Sequence, residues 1–170
     1  SANDFVASRV TRSLCFDVDA SPKTVFPLLC PVREREWIDG WKAEVVYSES
    51  GLVEDGCIFR TENPLLGEAI YVTSRYEQEA GRVEFVVFFP GTCVQKLDIA
   101  RSSRAGGGTS LSWTRTYTGL STAGNALIEG ITEEAYRRQT AALAQSLARY
   151  ATRLENELRR SPPEAGRDGE

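Results

Sequence analysis

Residues 109–117 alternate two kinds of side chain, and the alternation turns a guanidinium toward an apolar interior. Leu111, Trp113, Arg115 and Tyr117 share one face of an extended chain; Ser110, Ser112, Thr114 and Thr116 share the other. The first set is the more apolar, so it faces the core. Arg115 is then an inward charge, which needs a partner carboxylate or a ligand anion. In a functional role it anchors a carboxylate or an enolate-like oxygen. In a structural role it reaches a barrel mouth or pairs with a buried Glu. Gln95 is the polar member of a second apolar set, with Cys93, Leu97 and Ile99. It can bond a ligand carbonyl or satisfy backbone groups at a sheet bend. Gln139 and Ser146 flank Leu143 at the margin of a helical apolar stripe, so Gln139 either faces a cavity or bonds the sheet as a core glutamine. Tyr71 and Tyr117 add hydroxyls that, with Arg115, can polarise a carbonyl.

Aromatic residues supply the apolar part of such a site. Trp37 and Trp41 are four apart, on one face if their segment is helical. They form a lid over a pocket mouth or simply anchor a short helix on a sheet. Phe85, Val87 and Phe89 alternate with Glu84, Val86 and Phe88. That strand is apolar on both faces toward its end, so it is buried on both sides or borders an opening. Tyr71 shares a face with Thr73 and Arg75, but the opposite register, Ile70, Val72 and Ser74, is more apolar. The orientation of that strand stays open. The residues expected to contact a ligand are Trp37, Trp41, Phe59, Tyr71, Phe85, Gln95, Leu97, Trp113, Arg115, Tyr117, Gln139 and Leu143.

Other chemistries find little support. The chain has no His, the usual general acid or base. The acids placed on strands, Glu84 and Asp98, fall opposite the apolar faces. No nucleophile elbow, phosphate loop or dinucleotide fingerprint occurs, and Gly106–Gly108 reads as a hairpin turn. The four cysteines, Cys15, Cys30, Cys57 and Cys93, are scattered with no C-x-x-C pair. Buried reduced thiols are expected, with no metal and no cofactor.

These residues need elements to hold them. Strands are expected over 13–19, 42–48, 57–62, 69–77, 82–89, 93–103 and 109–117, joined by hairpin-length breaks. Ser21 and Pro22 mark the cap and first position of a short helix, bent or stopped at Pro27. A second short helical or irregular stretch covers 30–41. A long helix spans 131–158 without Gly or Pro, with Tyr136, Leu143, Leu147, Tyr150 and Leu154 on one stripe. Thr132, Glu133 and Glu134 suit its start. Residues 1–7 read as a lead-in, 8–160 as one domain and 161–170 as a disordered tail.

Bulk properties agree with one domain. Of 170 residues, 41% are hydrophobic and 26% charged, enough for a sizeable core beneath a polar surface. A net charge of −4 argues against nucleic acid as a partner. No apolar run is long enough to span a membrane. Asp4, Arg9 and Arg12 break up the start, so no signal-like segment is read there and a cytoplasmic location is expected. The chain has no Met, which leaves trimming, engineering or a removed signal peptide open. A homodimer is also left open.

Strand, short helices, six strands and one long helix make an α+β helix-grip arrangement: a curved antiparallel sheet wrapped on the helix, with a cavity where one helix fails to fill the interior. The residues also resemble a known family. VDASPKTVFPLLCPVREREWIDGW at 18–41, FPG at 89–91, GTSLSWTRTYTGLS at 108–121 and the final helix resemble the SRPBCC superfamily, also called START-like or polyketide cyclase/dehydrase-like. The resemblance covers about residues 8–158. It implies a helix-grip fold with an internal pocket for lipids, sterols, aromatic polyketides or similar molecules. Members include binders, cyclases and activators of a chaperone ATPase. Three functions follow as expectations: first a carrier or sensor of a small apolar or amphipathic ligand, then a polyketide cyclase or dehydratase, then a protein-interaction module. Fold alone does not choose among them.

Overall fold

A computed structural model describes residues 4–161. The expected disorder of the tail lies outside the described residues beyond Ser161. Seven strands form one antiparallel sheet: β1 (Arg9–Val18), β2 (Glu44–Tyr47), β3 (Ile58–Asn63), β4 (Gly67–Glu77), β5 (Arg82–Phe89), β6 (Cys93–Ser103) and β7 (Thr109–Gly119). Their spatial order is β1-β7-β6-β5-β4-β3-β2. Strands β2 to β7 thus form a meander, and β1 joins the far edge by pairing with β7. Two register shifts, at Val45/Tyr47 and at Thr73/Arg75, interrupt the ladders, where they bend and twist a sheet.

Helix α1 (Pro22–Val25) begins at Ser21 and gives way to a 3-10 turn at Phe26–Leu28, so Pro27 tightens the chain as anticipated. The stretch expected to be helical or irregular over 30–41 is mostly irregular, with one 3-10 turn, Glu34–Glu36. Trp37 and Trp41 therefore do not share a helical face. The sequence reading also lacked a helix that the structure contains, α2 (Thr122–Glu129), capped by Ser121, whose Oγ accepts from the Gly124 amide. Gly124 is required there: a Cβ would come within 1.9 Å of the Thr92 carbonyl. From α2, Asn125 fixes the start of the chain, accepting from the Ser8 amide and donating to the Val6 carbonyl, both at 2.9 Å.

Helix α3 (Glu133–Arg160) follows, with Thr132 accepting from the Ala135 amide as N-cap. Glu133 and Glu134 lie in its first turn and Arg159 and Arg160 in its last, each complementing the helix dipole. The helix packs along β1. Its deepest line is Tyr136, Thr140, Ala144, Leu147 and Ala151, while Leu143, Tyr150 and Leu154 are only partly buried. The buried line is rotated from the expected stripe toward small side chains, because Ala and Thr let the helix axis approach the sheet where Leu and Tyr would hold it off.

The inner face of the sheet carries the core. Phe59, Phe85, Val87, Phe89, Ile99 and Leu111 are almost fully buried. In β4, Ala69 and Thr73 face inward and Val72 faces out, 37% exposed, so the less apolar register is the inner one. The bulge at Thr73/Arg75 then resets the alternation and turns Tyr76 inward, to stack on Phe26 at 5.3 Å between ring centroids. Of the cysteines, Cys30, Cys57 and Cys93 are buried; Cys15 is exposed, contrary to the expectation that all four would be inside.

Candidate functional site

Strand β7 keeps the expected alternation, with Leu111, Trp113 and Tyr117 buried. Opposite them on β6 lie Ile99, Leu97 and Gln95: the register pairs Trp113 with Ile99, Arg115 with Leu97, and Tyr117 with Gln95. Above this surface, α3 touches the sheet at Tyr136 but does not fill all the space beneath its first half. It leaves a cavity of about 440 Å³. One side is the sheet, another is α3 from Ala135 to Leu143. The remaining wall comes from Glu34, Ile38 and Trp41, and from Asn63 to Leu66 in the β3–β4 hairpin. Two other depressions, one beside Asp17 and Arg153 and one beside Lys42 and Arg60, are open surface grooves lined largely by charged and polar side chains.

Ten of the expected residues line this cavity: Trp41, Tyr71, Phe85, Gln95, Leu97, Trp113, Arg115, Tyr117, Gln139 and Leu143. Two do not. Phe59 is wholly buried in the core. Trp37 packs in the core beneath the 3-10 turn, where its indole N–H donates to the Leu28 carbonyl at 3.0 Å. Trp41 remains at the cavity, held by a 2.7 Å bond from its indole N–H to the Pro31 carbonyl. It meets Tyr71 edge-on at 6.4 Å, and Tyr71 meets Phe85 edge-on at 5.8 Å. These rings form one wall of quadrupole-matched aromatic contacts.

Arg115 lies against two rings, its guanidinium carbon 5.6 Å from the Trp113 centroid and 5.8 Å from that of Tyr136. Such contacts hold a cation without neutralising it. No acidic oxygen comes within 4.0 Å of it among the described residues. Tyr136 is itself fixed by donating to the Trp113 carbonyl at 2.9 Å. The Trp113 indole nitrogen is buried and has no partner among the described residues.

The sequence reading missed Glu34, the one carboxyl among the described lining residues. Its side of the turn is set by backbone bonds, from the Glu34 amide to the Cys30 carbonyl and from the Ile38 amide to the Glu34 carbonyl. The outer side of the same turn is tied down: Arg33 pairs with Glu36 at 2.9 Å, and the Tyr150 hydroxyl of α3 donates to Glu36 at 2.6 Å. Glu34 is left pointing inward, 8% exposed. Burial raises its pKa to about 7, against a smaller opposing pull from Arg115. Burial also raises Tyr71, with a further push from Glu34, and raises Tyr117 against the pull of Arg115. Arg33-Glu34-Arg35-Glu36 reads in sequence as a solvated charge run. The available signal was spacing: Glu34 precedes Trp37 by three and Ile38 by four, so in a helical turn it shares their buried side.

No protein-family profile matches the chain, and no curated protein matches it in sequence. Solved structures do match. The Mll3558 protein from Rhizobium loti is 17% identical, with a TM-score of 0.62, covering 86% of this chain and 99% of that one. TTHA0849 from Thermus thermophilus is 14% identical, with a TM-score of 0.62, covering 85% and 99%. A norcoclaurine synthase point mutant from Thalictrum flavum, in complex with a transition state analogue, is 12% identical, with a TM-score of 0.63, covering 89% and 99%. These likenesses show the fold, a helix-grip α+β domain.

Proposed function

We propose that this protein binds a small, largely aromatic molecule in the cavity between the sheet and α3, as a carrier or sensor, and holds a polar or anionic oxygen of that molecule at Arg115. The observation that carries this reading is Arg115 itself, a guanidinium facing a largely apolar cavity with no carboxylate within ion-pair distance among the described residues. Arg115 is half-buried, and a charge drawn partly out of water without a partner carries a desolvation cost that an anionic ligand would offset. The size suits the reading, since small-molecule pockets run from about 300 to 1,000 Å³. The aromatic wall of Trp41, Tyr71, Phe85 and Trp113 offers flat apolar surface, which favours a ring system over a branched aliphatic chain. The neighbour solved with a transition state analogue supports small-molecule binding on this fold.

A titration with the neutral fluorescent dye N-phenyl-1-naphthylamine tests the cavity. Binding that is strongly weakened when Leu143→Trp fills the space is the expected result. Equal affinity for both proteins would overturn the reading.

A second reading, a cyclase or dehydratase acting on a polyketide-like substrate, is favoured by one observation. A carboxyl whose pKa burial raises to about 7 shares the cavity with a guanidinium and three phenols, one of them already donating to a backbone carbonyl. Such a set suits proton transfer next to a polarised carbonyl. Turnover lost in Glu34→Gln with substrate binding retained would separate this reading from the first.

A further inference from the structure

Anchoring an anion at Arg115 leaves the second ionisable group of the cavity unused. Glu34 is more than nine-tenths buried, and its carboxyl has no hydrogen bond or ion pair among the described residues. The Trp113 indole N–H is a buried donor without an acceptor in the same wall. Unpaired buried polar groups are rare in native folds, and a carboxyl that opens onto a cavity without a protein partner is placed to meet a ligand there.

We propose that Glu34, once protonated, is the second arm of the anchor, donating its O–H to the same aromatic oxyanion that Arg115 holds, so that the cavity takes up one proton with each anionic ligand. This rests on the reading of Arg115 given above. Without ligand, burial disfavours the Glu34 carboxylate and Arg115 favours it. A bound carboxylate, sulfonate or phenolate at Arg115 cancels that support and adds a like charge. Two anions cannot share one cation in a dry pocket, so one is protonated. The ligand is held as the ion by the guanidinium, and Glu34 takes a proton from solvent onto its carboxyl oxygen. Protonated, the Glu34 carboxyl becomes a donor, as the acceptor-rich ligand requires.

The groups around Glu34 allow this reading. Arg115 from β7 is the charge that reaches it. Tyr71 from β4 and Tyr117 from β7 are pushed up by burial and stay neutral, and Tyr136 from α3 is committed to a backbone carbonyl. On its own turn, Arg33 is paired with Glu36, which also accepts from Tyr150, and Arg35 is exposed. The chain has no His to titrate in the same range.

The test uses 8-anilinonaphthalene-1-sulfonate, whose sulfonate stays ionised throughout, with N-phenyl-1-naphthylamine as its neutral counterpart. The sulfonate's dissociation constant is expected to be flat below about pH 6 and to rise by up to about tenfold per pH unit above about pH 7. The neutral dye shows no such rise. Calorimetry on the wild-type protein near neutral pH, in two buffers of different ionisation heat, reads an uptake of about half to one proton per bound sulfonate. This count needs no variant. Glu34→Gln, whose amide is also a donor, keeps the low-pH affinity and loses the slope. A proton count of zero, or a slope that survives in Glu34→Gln, overturns the proposal. If the sulfonate binds through Arg115 without a slope, the coupling falls and the anchor stands. If Arg115→Ala leaves both dyes equally bound, the anchor falls and the coupling with it.

Discussion

Glu34 and Arg115 face one cavity from different elements, close enough for the guanidinium to act on the carboxyl, yet they form no ion pair. The consequences of that relationship can be measured separately for each residue, and for the side chains that frame them.

Replacing Arg115 by Ala removes the cation and keeps the cavity. Hydrogen bonds to charged groups contribute about 1.5–3 kcal/mol, so affinity for 2-naphthoate should fall by roughly ten- to a hundredfold. Affinity for the neutral 2-naphthalenemethanol should change by less than about threefold, because the aromatic wall is intact. Equal losses for both would remove the anchoring role.

Glu34 also makes stability depend on pH, with a sign that can be worked out. Its folded pKa of about 7 stands above the ordinary value of 4.5. Between those values the folded protein holds a proton that the unfolded chain releases, so stability falls as pH rises through this window. The loss across the window is on the order of 3 kcal/mol, because folding free energy changes by roughly 1.4 kcal/mol for each pH unit over which one proton is released. Glu34→Gln lacks this loss. Thermal melts should therefore show the variant gaining several degrees on the wild type at about pH 8 and little at about pH 4.5. A gap of the same size at both would assign the effect to something other than titration.

The two tryptophans before β2 should separate cleanly. Trp37 is a core residue bonded to the Leu28 carbonyl. Its replacement by Ala should cost about 3–5 kcal/mol of stability. Trp41 borders the cavity and meets Tyr71. Its replacement by Ala should speed ligand release, read by stopped-flow dilution, with a smaller loss of stability. Reversed effects would contradict the placement of both.

Gln139 lines the cavity from α3. Gln139→Leu should fold with nearly unchanged stability and shift the ranking of ligands toward those without a carbonyl. A collapse of the melting transition would show a structural role.

Much of this was legible in the sequence for a physical reason. Where an inner face is buried, period-two alternation fixes it, so β6 and β7 placed Gln95, Leu97, Trp113, Arg115 and Tyr117 on the cavity side. Alternation was silent in β4, where the more apolar set, Ile70 and Val72, faces outward and the bulge resets the phase. It was silent again over 30–41, where the chain is irregular apart from the 3-10 turn Glu34–Glu36. There the burial of Glu34 is set by the backbone bonds of the turn and by Glu36 reaching Tyr150. Phe59 shows the opposite error: an inward position that is packed into the core and does not line the cavity.

The most direct measurement is a crystal structure of the protein soaked with 2-naphthoate. The account predicts the ring against Trp41, Tyr71 and Trp113, with its carboxylate within hydrogen-bond distance of the Arg115 guanidinium. A cavity left empty at saturating ligand, or a carboxylate turned away from Arg115, would contradict it.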